Sequence, residues 1–399
     1  MKTHIILTAV LVSLFGFLHA DTLTLYFNHG ATDNLFQNAF AESDHLSSLG
    51  FSLDKDMGRI SLFAEGSYSY LYENPNLTYF TQDLGLDHVW VLGEKSGLYF
   101  SLTGRGTFYR SDYNDFNYGA VNAYGAYKSY LSPTSIFKAE YSLTIRDYRL
   151  SQFDSYSHAL DVKLDKYFQS RTTIQAALSW GHKFYFHPYP AETDLLPADS
   201  STPSISGSDM GQGMGRGKRW GLMWSSPTWT SPASDQGGQG IQTLTLKGLI
   251  AQGIGDRIGI RFSGVRQWSI SGLNPFSQVW EFYTVENPFY DRYAWDGHEW
   301  GVQLTVLAPW DAQLRLGYAF SHKEFPGIEV LDAEGLSTGL MRSDGRRRWE
   351  ARLAKDFSRF ALFLAIHRLD NSSNDPLFDW QGNFVAVGLE WNLFLGAKE

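Results

Sequence analysis

From Leu23 onward the chain alternates apolar and polar side chains one residue at a time, in segment after segment. Leu98, Phe100 and Leu102 interleave with Tyr99, Ser101, Thr103 and Arg105. Phe137, Ala139, Tyr141, Leu143 and Ile145 interleave with Lys138, Glu140, Ser142, Thr144 and Arg146. Ile174, Ala176, Leu178 and Trp180, and later Leu314, Leu316, Tyr318 and Phe320, repeat the pattern. A period of two predicts strands with one apolar and one polar face. After Ala20 no run approaches the roughly 18 consecutive apolar residues that a membrane-spanning helix needs.

Two architectures give such dyads: a soluble sandwich with one wet face, and a transmembrane barrel with lipid outside and water inside. The connections separate them. Tight turns fall at Lys55 to Gly58, Gly93 to Ser96, Ser132 to Thr134, Gln169 to Arg171, Gly253 to Asp256, Pro309 to Asp311 and Phe357 to Arg359. Between them lie longer polar stretches: 30–44, 72–76, 111–117, 149–154, 187–239, 270–297, 325–345 and 370–382. Regular alternation of short and long is what an up-and-down barrel produces, with brief turns on one side and extended loops on the other. Greek-key sandwiches have no reason to show it.

These connections predict an all-β chain, a transmembrane antiparallel up-and-down β-barrel of sixteen strands, with fourteen or eighteen open as alternatives. Strands are expected to start near Leu23, His45, Ile60, Leu77, Gly97, Tyr118, Ile136, Ser157, Thr172, Ile241, Arg257, His298, Ala312, Arg346, Phe360 and Asn383. The first is the least patterned and rests on parity, since an even number returns both termini to one side. Tyr68, Tyr70, Tyr109, Phe168, Phe184, Phe186, Trp268, Trp310, Phe357 and Trp391 fall near strand ends, where aromatic rings form interfacial girdles.

Composition narrows the class further. The 399 residues contain no cysteine, which excludes disulfide scaffolds, thiolate metal sites and cysteine nucleophiles. A net charge of −9 spread over both signs gives no electrostatic reason to expect nucleic acid. Met1 to His4 followed by the short apolar run Ile5 to Leu18 and by His19-Ala20 reads as a secretory signal peptide cleaved after Ala20, leaving residues 21–399 as the barrel domain.

The final segment, Phe384-Val385-Ala386-Val387-Gly388-Leu389-Glu390-Trp391-Asn392-Leu393-Phe394, ends on alternating apolar residues and a near-terminal aromatic. With the sixteen-strand pattern, it resembles the large class of Gram-negative outer-membrane β-barrels. That resemblance implies residence in outer-membrane lipid and delivery by the barrel-assembly machinery through this strand. It departs from the class by adding Leu395-Gly396-Ala397-Lys398-Glu399 after Phe394. Asp379 to Phe394 is also similar to the closing strand of exopolysaccharide-export porins, without the periplasmic helical repeats that usually precede those barrels.

Catalytic chemistry is not expected. His88, His158, His182, His187, His298, His322 and His367 each stand isolated in sequence, with no nucleophile at a useful spacing. His298 with Glu299, Asp291 and Asp296 is the densest cluster, and it reads as solvated side chains. His182 and His187 with Asp194 match no standard metal-ligand spacing. Gly211 to Arg219 lacks the Ser/Thr and the strand-to-helix context of a phosphate loop. Arg346-Arg347-Arg348 reads as a solvated strand start. No cofactor or metal is expected.

The polar faces carry the functional expectation. By alternation they hold Arg105, Lys128, Lys138, Arg146, Lys163, Lys183, Lys247, Arg261, Arg315 and Arg352, with Glu65, Asp83, Asp87, Glu140, Asp161, Asp165, Glu350 and Glu390. So many charges do not fit a dry core, but they fit a hydrated lumen. The reading is a porin-like channel for passive passage of small hydrophilic solutes. Its alternatives are an export barrel for a polysaccharide working with a periplasmic partner, and a plugged structural or adhesion barrel. The long loop 187–239, rich in Ser, Pro and Gly, is compatible with an inward constriction, a cover over the mouth or plain disorder.

Overall fold

The computed structural model describes residues 20–149, 151–186, 239–272, 293, 295–331 and 337–394. They form one sheet of sixteen antiparallel strands, each bonded to its neighbours in sequence. These are β1 (Thr22–Thr32), β2 (Asp44–Asp56), β3 (Ile60–Leu71), β4 (Tyr79–Gly93), β5 (Ser96–Tyr109), β6 (Tyr118–Ser132), β7 (Ser135–Tyr148) and β8 (Ser155–Tyr167). They continue as β9 (Thr172–Tyr185), β10 (Gln239–Ile254), β11 (Ile258–Ser271), β12 (Asp296–Leu307), β13 (Ala312–Leu331), β14 (Ser337–Asp356), β15 (Phe360–Ser373) and β16 (Trp380–Phe394). The sheet closes on itself: β1 pairs with β16 in unbroken register from Thr22↔Phe394 to Thr32↔Phe384. Closure leaves no edge strand with unpaired backbone, which is what allows a sheet to sit in hydrocarbon.

The strand expected on parity is present as β1, and fifteen of the sixteen expected starts fall within three residues of the observed ones. The exception is β14. Residues 325–345 were expected to form a loop, yet β13 and β14 extend to Leu331 and from Ser337. Two register irregularities, at Phe325/Glu329 and Glu329/Leu331, accommodate Pro326 and Gly327 in this extended ribbon. It is pinned by Arg342, buried between the rings of Phe325 and Phe378 and paired to buried Asp344. The reach of these strands is thus set by packing against a distant loop, which local pattern does not show.

Seven turns at one end are closed by short backbone bonds, such as Met57 N–H to the Ile60 carbonyl (2.8 Å) and Phe357 N–H to the Phe360 carbonyl (2.7 Å). Gly58 and Gly255 take the positive φ that these turns require, at +83° and +59°, a conformation open to glycine at little cost. Both ends of the described chain, at β1 and β16, lie at this same end.

The outer face is apolar. Leu49, Leu62, Val121, Leu160, Leu178, Ile250, Phe262, Trp300, Trp349, Leu364 and Val387 all point outward and are heavily exposed. Exposed large hydrophobics in this number, on every sector of one face, suit lipid and not water. The buried apolar cluster lies on the opposite, inward side and at the loop end.

Candidate functional site: the charged inner wall

Because outward positions are fixed by these exposed side chains, period two places their chain neighbours inward. Arg105, Lys138, Glu140, Arg146, Asp161, Lys163, Lys183, Lys247, Arg261, Arg315, Glu350 and Arg352 share that inward face. The register then divides them into two unlike walls.

From β4 to β10 most inward charges meet counter-charges; the exception is Lys128, which stands opposite Lys138 and lies over the ring of Tyr130. Arg105 forks onto Asp83 with Nε to Oδ1 at 2.7 Å and a second nitrogen to Oδ2 at 2.5 Å, the bidentate geometry in which guanidinium and carboxylate pair best. Lys138 reaches Asp165 at 2.9 Å, and Gln175 also donates to that carboxylate at 2.6 Å. Lys163 meets Glu140 at 2.7 Å, and Lys247 approaches Asp161 at 3.8 Å. Nearer the loop end, Lys183 and Arg146 lie over the rings of Tyr185 and Tyr118. This wall is polar, and apart from Lys128 its lysines and arginines are paired with carboxylates or lie over rings.

From β11 to β14 the balance fails. Arg315 and Arg352 are direct register partners across β13 and β14, and Arg261 stands opposite Gln303 on β12, next along the same inner surface. Arg352 lies over Phe363, 4.2 Å from the ring centroid. Among the described residues none of these three arginines forms an ion pair with a carboxylate. The inward acid Glu350 lies across Gly317 and approaches Arg348 at 3.9 Å. All three guanidinium side chains are exposed. Their field therefore projects into the space enclosed by the barrel and is not spent on a protein partner.

The loop end is partly filled from within. Short 3-10 turns at Pro75–Leu77, Ser111–Phe116, Ser151–Phe153 and Pro376–Phe378 bring Leu77, Phe116, Phe153 and Phe378 into one cluster. That cluster includes the inward tyrosines Tyr79, Tyr109, Tyr118, Tyr148 and Tyr185, together with Leu35 and Phe36 of the first loop. Asp44, itself buried, accepts from the backbone N–H groups of Tyr72, Glu73 and Asn74 and so holds the second loop inward. Tyr109 was expected in the outer girdle. It is instead inward and 7% exposed, because Tyr79 and the 111–116 turn pack on it.

The remaining sequence candidates separate. His298 projects outward beside Phe320 and His322, whereas Glu299 projects inward, so they are not a cluster. Arg346-Arg347-Arg348 was read as a strand start but lies well inside β14, with Arg346 over Trp380 and Arg347 on the other face. His187, Asp194, Asp291 and Gly211 to Arg219 lie outside the described residues, as does most of the 187–239 loop. Sequence spacing missed the neighbour of His182: His158, directly opposite it on β8. The described residues contain no group of three or more His, Cys, Asp or Glu fit to hold a metal, and none of their helices is long and apolar enough to cross a membrane.

No protein-family model matches the chain, and no curated protein does. Solved structures match in shape. CdiB from Acinetobacter baumannii aligns with a TM-score of 0.51 at 8% identity, over 92% of this chain and 60% of CdiB. OpdO of Pseudomonas aeruginosa aligns at 0.48 and 7% identity over 95% and 98% of the two chains. A bacterial polysaccharide outer membrane secretin aligns at 0.47 and 7% identity over 94% and 99%. At such identities the likeness concerns the fold alone.

Proposed function

We propose that this barrel resides in a bacterial outer membrane, inserted through its closing strand 384–394, and forms a channel for small hydrophilic solutes that favours anions. The observation that supports this reading is the unneutralised arginine wall of Arg261, Arg315 and Arg352, set against a wall whose charges are mostly paired. Sixteen strands enclose more volume than side chains fill. Exposed cations along such a path raise the local concentration of anions and lower that of cations. The chain's overall −9 is no guide to this, because Asp33, Glu42, Glu73, Glu94, Asp256, Asp311, Asp375 and Asp379 all lie in connections between strands.

Proteoliposome swelling tests the reading. Vesicles carrying the protein should swell in small neutral sugars and faster in a small organic anion than in a cation of equal size. A second reading, a closed structural barrel, draws on the aromatic cluster folded into the loop end. It predicts no swelling in any solute.

A further inference from the structure

Six of the eleven histidines stand in three cross-strand pairs on the outward face near the loop end: His29 with His45, His158 with His182, and His298 with His322. The channel reading uses none of them. The geometry points to His158 and His182 as a chelating site for a divalent transition-metal ion at the membrane interface.

The two rings sit at one register position on β8 and β9, with His158 Nε2 3.2 Å from His182 Nδ1. Metal–nitrogen bonds are about 2.0–2.1 Å, so two cis nitrogens stand about 2.8–3.0 Å apart on a square-planar ion and about 3.3–3.4 Å apart on a tetrahedral one. The pair therefore already has the separation that chelation requires. Imidazole must be neutral to ligate. Tyr141, Tyr156 and Trp180 pack around His158, and His182 lies parallel to Trp180. No carboxylate forms an ion pair with either ring among the described residues. His158 Nδ1 is buried without a hydrogen-bond partner, which leaves Nε2 as the nitrogen that ring can offer. Gly240 on β10 makes room: a Cβ there would lie 2.9 Å from His182 Nε2.

In the metal-free pair one facing nitrogen carries a proton and donates to the other. Coordination needs lone pairs on both, so the donating ring shifts that proton to its other nitrogen and both rings stay neutral. Water completes the coordination shell. The other two pairs are less suited. Arg266 and its ion-pair partner Asp296 crowd His298, His322 approaches Glu324 at 3.6 Å, and His29 Nδ1 is bonded to Ser47 at 2.9 Å.

The test is a Cu(II) titration of the untagged, detergent-folded barrel followed by electron paramagnetic resonance; Cu(II) is the divalent ion that imidazole binds most strongly. One tight equivalent should show hyperfine splitting from two nitrogens. His158→Gln and His182→Gln should each weaken that equivalent by about tenfold or more and remove one nitrogen, and His298→Gln should leave it in place. Retained heat-modifiable migration shows that each variant is still a folded barrel. A two-nitrogen signal that survives in His158→Gln, or a wild-type titration no different from that of the double variant, would overturn the proposal. Neither outcome depends on whether the barrel conducts.

Discussion

Arg315 and Arg352 face each other across β13 and β14 at a single register position, two like charges with no carboxylate paired to either among the described residues. Directly opposed like charges weaken a sheet. Arg105 is the contrast: it occupies an equivalent inward position and is fully paired with Asp83. The inner wall therefore holds two kinds of arginine, one structural and one whose charge is left for the solvent.

That distinction predicts opposite outcomes for similar substitutions. Replacing Arg261, Arg315 and Arg352 together with glutamine should move the reversal potential in a salt gradient toward cation preference. The shift should shrink at high salt, because the screening length falls to about 3 Å at 1 M. Arg105→Gln instead uncovers Asp83 and should lower the stability of the β4–β5 pair, as seen in denaturant midpoints, in addition to any change in selectivity.

Val302 and Gln303 at the middle of β12 test which face is which. Val302 sits between Phe262 and Tyr318 on the outer surface, while Gln303 is opposite Arg261 on the inner one. Val302→Arg should cost about 2–4 kcal/mol in reversible unfolding from lipid vesicles, the midplane cost of an arginine. Gln303→Arg should cost much less and strengthen anion preference. Equal losses would mean that the assigned faces are wrong.

The cap of inward aromatics makes a separate prediction. Phe378→Ala removes a buried ring that Arg342 stacks on and should cost about 3–5 kcal/mol locally. Protease cleavage near 374–379 should rise sharply while the barrel keeps its heat-modifiable migration. Unchanged cleavage would show that the cluster does not hold this loop.

Asp375 adds a pH dependence. Burial holds its carboxyl above the ordinary carboxylate value, against the N–H bond it receives from Leu377. A raised pKa means that the folded loop binds a proton more tightly than the unfolded one does. Stability should therefore rise as pH falls through the raised value and level off below 3.8, the unperturbed value. Hydrogen exchange at Leu377 and Phe378 should slow over that interval, and Asp375→Asn should flatten the response.

Most of the fold was legible because period two and turn chemistry are local. The starts at Ile60, Tyr118, Thr172, Ala312 and Phe360 follow directly from where a turn ends and alternation resumes. What escaped depends on partners. Pro326 and Gly327 signal a loop, and only the packing of Arg342 against Phe325 and Phe378 explains why β13 and β14 run past them. Tyr109 carries no local mark that separates an inward cap from an outward girdle. Inward charges could be named from parity, but which ones cancel depends on register between strands, as with Lys138 and Asp165 or Glu140 and Lys163. His158 lies 24 positions from His182 and meets it only once β8 and β9 pair.

The most direct test is single-channel recording of the purified protein in planar bilayers under a salt gradient. Steady open steps are expected, with a reversal potential on the anion side that moves toward zero or beyond when Arg261, Arg315 and Arg352 are neutralised. A silent protein that is folded by heat-modifiable migration, or open steps with cation preference in the wild type, would contradict it.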